Sequence, residues 1–120
     1  MYFLVRTYSL ATIAPKNAQM IYVSGINAYG KNGHLPLEEQ LQTIFKKLNK
    51  ILKEAGSKPE CITMIKQYTT RMDNEFFEIF LRERDKFLKG AKPSSALIPM
   101  AKPNKNSIDI EIELVCYKCD

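Results

Sequence analysis

The sequence predicts an α+β domain, a mixed sheet with two helices on one of its faces, and three observations predict it. Ile108 to Tyr117 (IDIEIELVCY) alternates apolar and polar residues, the period of a strand with one buried face. Leu37, Leu41, Ile44, Leu48, Ile51, Leu52 and Ala55 recur at three- and four-residue spacing, the stripe of an amphipathic helix. The elements run β, β, α, β, α, β, β, and two helices suffice to cover only one side of such a sheet. The other side must meet water or another subunit.

Taken in order, Tyr2 to Tyr8 (YFLVRTY) and Met20 to Ser24 (MIYVS) are rich in aromatic and β-branched residues and predict two strands. Gly25 to Gly33 (GINAYGKNG) predicts a loop or short hairpin, because its glycines and asparagines accept positive φ cheaply. The first helix has Pro36 at its start and Gly56 as a C-terminal cap. Cys61 to Thr70 (CITMIKQYTT) predicts the next strand. The second helix, roughly Glu75 to Leu88, turns Phe76, Phe77, Phe80, Leu81, Phe87 and Leu88 to the core and leaves Glu78, Arg82, Glu83 and Asp85 in water. Ala96 to Met100 (ALIPM) predicts a short strand at a sheet edge or bulge, since Pro99 donates no ladder hydrogen bond. In the last strand Ile108, Ile110, Ile112, Leu114 and Cys116 share one face, and Asp109, Glu111, Glu113, Val115 and Tyr117 the other.

A chain of 120 residues, 45% hydrophobic and 26% charged, is sized for one domain over residues 1–120. Burial against further copies is a common way for so small a domain to gain stability. The formal charge of +5 comes from 18 Lys and Arg scattered along the chain. Their densest group, Lys46, Lys47, Lys50 and Lys53, reads as the solvated side of the first helix, which argues against nucleic acid as partner. Cys116 and Cys119 resemble half of a zinc site, but no second pair and only one histidine accompany them, so no metal is expected and the cysteines read as reduced bystanders. The first residues are too short in apolar run for a signal peptide or membrane span, which predicts a cytoplasmic protein without a membrane partner.

Several segments, in order and at nearly constant intervals, resemble the Rid (reactive intermediate deaminase, YjgF-like) family: Ile21 to Gly25 (IYVSG), Glu39 and Gln40 followed by Ala55 and Gly56, Tyr68 to Met72 (YTTRM), Pro93 with Ser94, and Ile110 to Glu113 (IEIE). The resemblance covers most of the chain. It implies a chorismate-mutase-like fold and a homotrimer whose sheets form a central barrel with ligand clefts between adjacent subunits. It also implies hydrolysis of imines or enamines such as 2-aminoacrylate to ammonia and a 2-keto acid, with no metal or cofactor.

Carried over by position, Ser24 and Gly25 match the cleft-lining pair, Glu111 matches the water-positioning glutamate, and Tyr8 matches a tyrosine of the N-terminal segment. Pro93 to Lys102 (PSSALIPMAK) departs from the family pattern: Ser95 stands where an arginine grips the substrate carboxylate, and Leu97 replaces a frequent cysteine. A serine hydroxyl brings no charge and cannot reproduce a bidentate clamp. Lys102 or Arg71 are the residues that could compensate. His34 reads as an exposed loop residue beside the alternative of a general base, and Lys66, Tyr68 and Thr70 are open between structural and functional roles. The resemblance thus implies a protein that binds or converts a small metabolite with Glu111 in acid-base chemistry. The alternative is a non-catalytic ligand-binding or regulatory trimer. Ribonuclease activity, known among relatives, ranks behind both for want of a His pair.

Overall fold

The computed structural model describes residues 8–29, 34–102 and 108–119. Along the chain come β1 (Met20–Ile26), α1 (Leu37–Ala55), a 3-10 turn (Pro59–Cys61), β2 (Ile62–Thr69), α2 (Asn74–Leu88), β3 (Ser94–Pro99) and β4 (Ile110–Tyr117). The strand expected at Tyr2 to Tyr8 lies outside the described residues except for Tyr8, after which Ser9 makes an isolated parallel bridge to Ser94. The sheet has the order β1-β4-β2-β3, with β4 antiparallel to β1 and β2, and β2 parallel to β3. A parallel pair needs a crossover, and α2 supplies it between β2 and β3. This is the expected mixed sheet, with Pro99 at the end of β3, an edge of the described sheet.

The helix stripe read from sequence is the core. Leu41, Ile44, Leu48 and Leu52 of α1 are buried against Ile65 of β2, Phe76, Phe80, Phe87 and Leu88 of α2, and Ile110, Ile112 and Leu114 of β4. Phe45 and Phe87 stack across the two helices with ring centroids 4.6 Å apart. α1 ends where Gly56 takes a left-handed conformation at φ 79°, so that its N–H and that of Ser57 reach the carbonyls of Lys53 and Leu52. α2 starts on Asp73, whose carboxylate accepts from the Phe76 N–H at 2.9 Å. Leu41→Ala is expected to destabilise the fold by about 2–5 kcal/mol, since it opens a cavity at a site with no access to solvent; chemical denaturation measures it.

Four expectations are corrected. In α2, Leu81 is 43% exposed, whereas Glu83 and Arg84 are buried at 5% and 2%. With Phe76, Phe80 and Phe87 inward, the helical period carries residues 83 and 84 to the inner face and rotates residue 81 out of it. The buried Glu83 carboxylate has Arg82 and Lys86 within 3.4 Å. Second, Gly25 is not in a loop: the strand expected over Met20 to Ser24 continues through it, and β1 ends at Ile26.

Third, Asp109 is not on the helix-free face with Glu111 and Glu113. It precedes β4 and is 6% exposed. Its carboxylate accepts from Gln40 Nε2 at 3.0 Å and Thr70 Oγ1 at 3.1 Å, while its N–H donates to Gln40 Oε1 at 2.9 Å. This reciprocal pair ties the first turn of α1 to the entry of β4, the partnering that a buried carboxylate needs. Asp109→Ala is expected to cost about 1–3 kcal/mol of stability by removing the carboxylate acceptor of one buried Gln40 N–H, again read by denaturation.

Fourth, Cys61 and Cys119 are not reduced bystanders: they form a disulfide that closes a 58-residue separation. The topology makes this natural. β2 begins beside the end of β4, where Ile62 pairs with Cys116, so the residue before one strand and the tail after the other arrive at the same place. Cys116 stays a free, buried thiol whose pKa is pushed up by burial. Reduction of the disulfide is expected to cost about 2–4 kcal/mol, lowering Tm by on the order of 10 °C; a thermal melt with and without reductant checks it. No helix among the described residues is long and apolar enough to cross a membrane.

Candidate functional site

With both helices on one side, the opposite side of the sheet is uncovered by any described element. The alternation of β4 places Glu111, Glu113 and Val115 there. The neighbouring strands bring Tyr22 beside Val115, Lys66 beside Glu113 and Tyr68 beside Glu111.

The pairing of β1 with β4 is irregular where it matters. The register passes from Val23 opposite Leu114 to Ile26 opposite Ile112, so Ser24 and Gly25 together face the single residue Glu113. Such a bulge bends the strand and re-aims what lies beside it. Gly25 lies directly against the Glu111 carboxylate: a Cβ there would stand 2.8 Å from Glu111 Cδ and closer still to Oε2. Glycine is therefore what allows this carboxylate to rest on the β1 backbone.

The other oxygen, Glu111 Oε1, accepts from Asn27 Nδ2 at 2.8 Å. Asn27 is itself fixed, since its Oδ1 accepts from the Tyr29 N–H at 2.8 Å and its backbone carbonyl accepts from Lys47 Nζ at 2.9 Å. One strand later, the Tyr68 hydroxyl donates to Glu113 Oε1. That bond raises the phenol pKa above its ordinary value, with burial and the charges of Glu113 and Glu111 adding to it. At neutral pH Tyr68 is a neutral hydroxyl committed to Glu113. Glu113 is thereby engaged, and Glu111 is the carboxylate held by one side-chain amide over a bare glycine.

Of the six residues singled out from sequence, the fold of one chain brings Ser24, Gly25 and Glu111 together and leaves Tyr8, Ser95 and Leu97 elsewhere. Ser95 pairs with Ile65 and Leu97 with Gln67, so both project to the helix side, where Leu97 packs on the core. The Ser95 hydroxyl accepts from Gln67 Nε2 at 3.1 Å, and the buried Gln67 Oε1 has no hydrogen-bond partner among the described residues. Tyr8 precedes Ser9, which meets Pro93 and Ser94 at the start of β3. Ser94 aligns with Met64, and Tyr68, beside Glu111, is four residues further along β2, about 13 Å at strand rise.

The candidates for compensation are placed as follows. Arg71 donates to Asp73 at 3.0 Å and to Glu75 at 2.8 Å at the start of α2, and its pKa is raised by those bonds. The same contact, with the Phe76 N–H, holds the Asp73 carboxyl down at about 2. This cap is therefore complete above the ordinary carboxylate range and is lost as pH falls toward 2. Lys102 is exposed. His34 is half exposed, with Nε2 3.4 Å from Asp109 Oδ2, so it belongs with the structural Asp109 pair.

Asn27 is the site residue that sequence reasoning missed. It stood in a glycine- and asparagine-rich run that signals turns, and only the bulge shows that its amide reaches back to the strand.

The family model described as Endoribonuclease L-PSP matches residues 5–118. Solved structures share the architecture. A protein of unknown function from the conserved Rid family, YyfB of Yersinia pestis, superposes with a TM-score of 0.80 at 21% identity, over 92% of this chain and 86% of that one. Yeast Mmf1 gives 0.73 at 24% identity, covering 96% and 90%. NMB1025 of Neisseria meningitidis, a member of the YjgF protein family, gives 0.70 at 19%, covering 85% and 82%. No curated protein sequence matches the chain.

Proposed function

The chain belongs to the family described as Endoribonuclease L-PSP, the YjgF/Rid family, and from that premise we propose that it converts a small imine or enamine by hydrolysis in clefts between the subunits of a homotrimer, with Glu111 as the acid-base group. The observation that carries this reading is the Glu111 carboxylate, seated on Gly25 and held by Asn27 on the helix-free face. A carboxylate fixed through one oxygen keeps the other for a water molecule.

In the reaction, that water gives a proton to Glu111 as its oxygen bonds to the carbon of a C=N group, and the C–N π pair moves to nitrogen. Glu111 returns that proton to nitrogen, which gives the neutral carbinolamine. The carboxylate then takes the hydroxyl proton and passes it to nitrogen as the C–N bond breaks, so that ammonia leaves and the hydroxyl oxygen becomes the carbonyl. An enamine enters the same route after tautomerising to the imine, one proton gained on carbon and one lost from nitrogen. Glu111 ends as it began, and the chemistry asks of the protein only a positioned base and acid.

Assembly into a homotrimer is supported by two features. Ser95 and Glu111 lie on opposite faces, so a cleft that uses both takes them from two copies. Leu10 and Ile13 are 85% and 94% exposed on the segment beside β3, apolar surface suited to cover by a neighbour. Ser95 supplies a neutral hydroxyl in the cleft, which favours a substrate lacking an anionic carboxylate at that end. The test is release of ammonia from imines generated in solution, comparing substrates with and without a carboxylate. Faster release from the neutral ones is expected, and no release from either class counts against the reading.

A second reading, a trimer that binds a small metabolite without turning it over, is favoured by the same serine, because loss of a charged clamp removes a means of orienting substrate. Ligands that raise Tm without ammonia release would select it.

A further inference from the structure

Beside α1, on its solvent side, Leu35, Glu39, Gln42, Thr43, Lys46, Lys47 and Lys50 line one open groove. Three lysines thus line one concavity. Among the described residues none of the three has a carboxylate within 4.0 Å. Glu39, the acidic residue of the groove, is seven positions before Lys46, about 10 Å along the helix, whereas Lys46 and Lys50 are neighbours one turn apart. The Thr43 hydroxyl and the Gln42 amide add neutral donors at the Lys46 end. Clustered positive charge with hydroxyl and amide donors matches an anion of several charged oxygens, and a phosphate-bearing small molecule has that chemistry.

The groove is joined to Glu111 by contacts already described. Lys47 Nζ donates to the Asn27 carbonyl at 2.9 Å, and Asn27 Nδ2 donates to Glu111 Oε1 at 2.8 Å. A bond from ammonium to a neutral carbonyl at the surface is weaker than one to a phosphate oxygen. An anion held by Lys46 and Lys50 therefore competes for Lys47.

We propose that the groove formed by Lys46, Lys47 and Lys50 binds a small phosphate-bearing anion, and that this binding withdraws Lys47 from the Asn27 carbonyl and loosens the Asn27 clasp on Glu111. The regulatory consequence rests on the reading of Glu111 given above, while the binding and the movement of Asn27 do not. The anion is an effector bound outside the cleft, coupled to it through one asparagine.

The experiment is a titration of the intact 15N-labelled protein with inorganic pyrophosphate, following backbone amides of α1 and the Asn27 side-chain NH2 by NMR. Saturable shifts at residues 42–50 are expected, weakened by about tenfold or more in the Lys46→Ala/Lys50→Ala double variant. A coincident shift of the Asn27 NH2 is also expected, absent in Lys47→Met, where the clasp is already released. All three lysines are exposed, so these variants should fold. No saturable shift, shifts unchanged in the double variant, or an Asn27 NH2 that does not respond would overturn the proposal. So would an oligoribonucleotide that binds the same lysines far more tightly than pyrophosphate, since the site would then serve a polymer. None of these readouts depends on turnover, so a protein inert toward imines leaves this proposal to stand or fall separately.

Discussion

Glu111→Gln is expected to lower the rate of imine or enamine hydrolysis by about 10²–10⁴-fold, the usual contribution of a positioned general acid-base group. The glutamine occupies the same volume, and its carbonyl oxygen can still accept from Asn27 Nδ2, so the packing of the face is preserved. What it lacks is the capacity to take a proton from water and return it to nitrogen. The loss should fall on kcat rather than on KM, because the proton moves in the transition state and not on binding. Melting temperature should change little. Turnover that survives intact in a folded Glu111→Gln protein contradicts the assignment of Glu111 as the acid-base group.

Gly25→Ala is expected to reproduce much of that loss without touching the chemistry of the carboxylate. The added methyl would stand 2.8 Å from Glu111 Cδ, a separation no packed carbon tolerates. Glu111 must give way, and it can, because the clashing atoms are the far end of a flexible side chain. The stability cost is therefore small, whereas the carboxylate moves by on the order of 1 Å, enough for about a hundredfold loss where geometry controls rate. The Asn27 NH2 signal should shift, reporting the altered clasp. A Gly25→Ala protein with unaltered turnover would show that the seat of Glu111 on β1 is incidental.

Most of the fold was legible because it rests on periodicity. The Leu37 to Ala55 stripe and the Ile110 to Cys116 alternation each identify a buried face without reference to the rest of the chain. Leu81 and Glu83 were misassigned for a related reason. Residue type suggested apolar in and acid out, but helical phase set by Phe76, Phe80 and Phe87 overrides it, and Glu83 tolerates burial with Arg82 and Lys86 at hand. Asp109 continued the strand alternation on paper. Its partner Gln40 lies 69 residues away, a pairing that local pattern does not carry. The same holds for Cys61 and Cys119, which meet only because the start of β2 lies beside the end of β4.

The candidate site was legible in part. Glu111, Ser24 and Gly25 were legible through the family resemblance, and the pairing of β1 with β4 across a bulge brings them together. Asn27 was hidden in a turn-like run, since its role depends on a side-chain bond across strands. Ser95 marked a departure from the family pattern, and the structure adds that it lies on the face away from Glu111, bonded to Gln67. The two can share a ligand only where copies of the chain meet.

That requirement is tested most directly by the solution mass. Light scattering of the purified protein at micromolar concentration is expected to give three times the 13.8 kDa of the single chain, with the helix-free face slow to exchange its amides. A particle of one chain's mass, with Tyr22 and Val115 open to solvent, would contradict it.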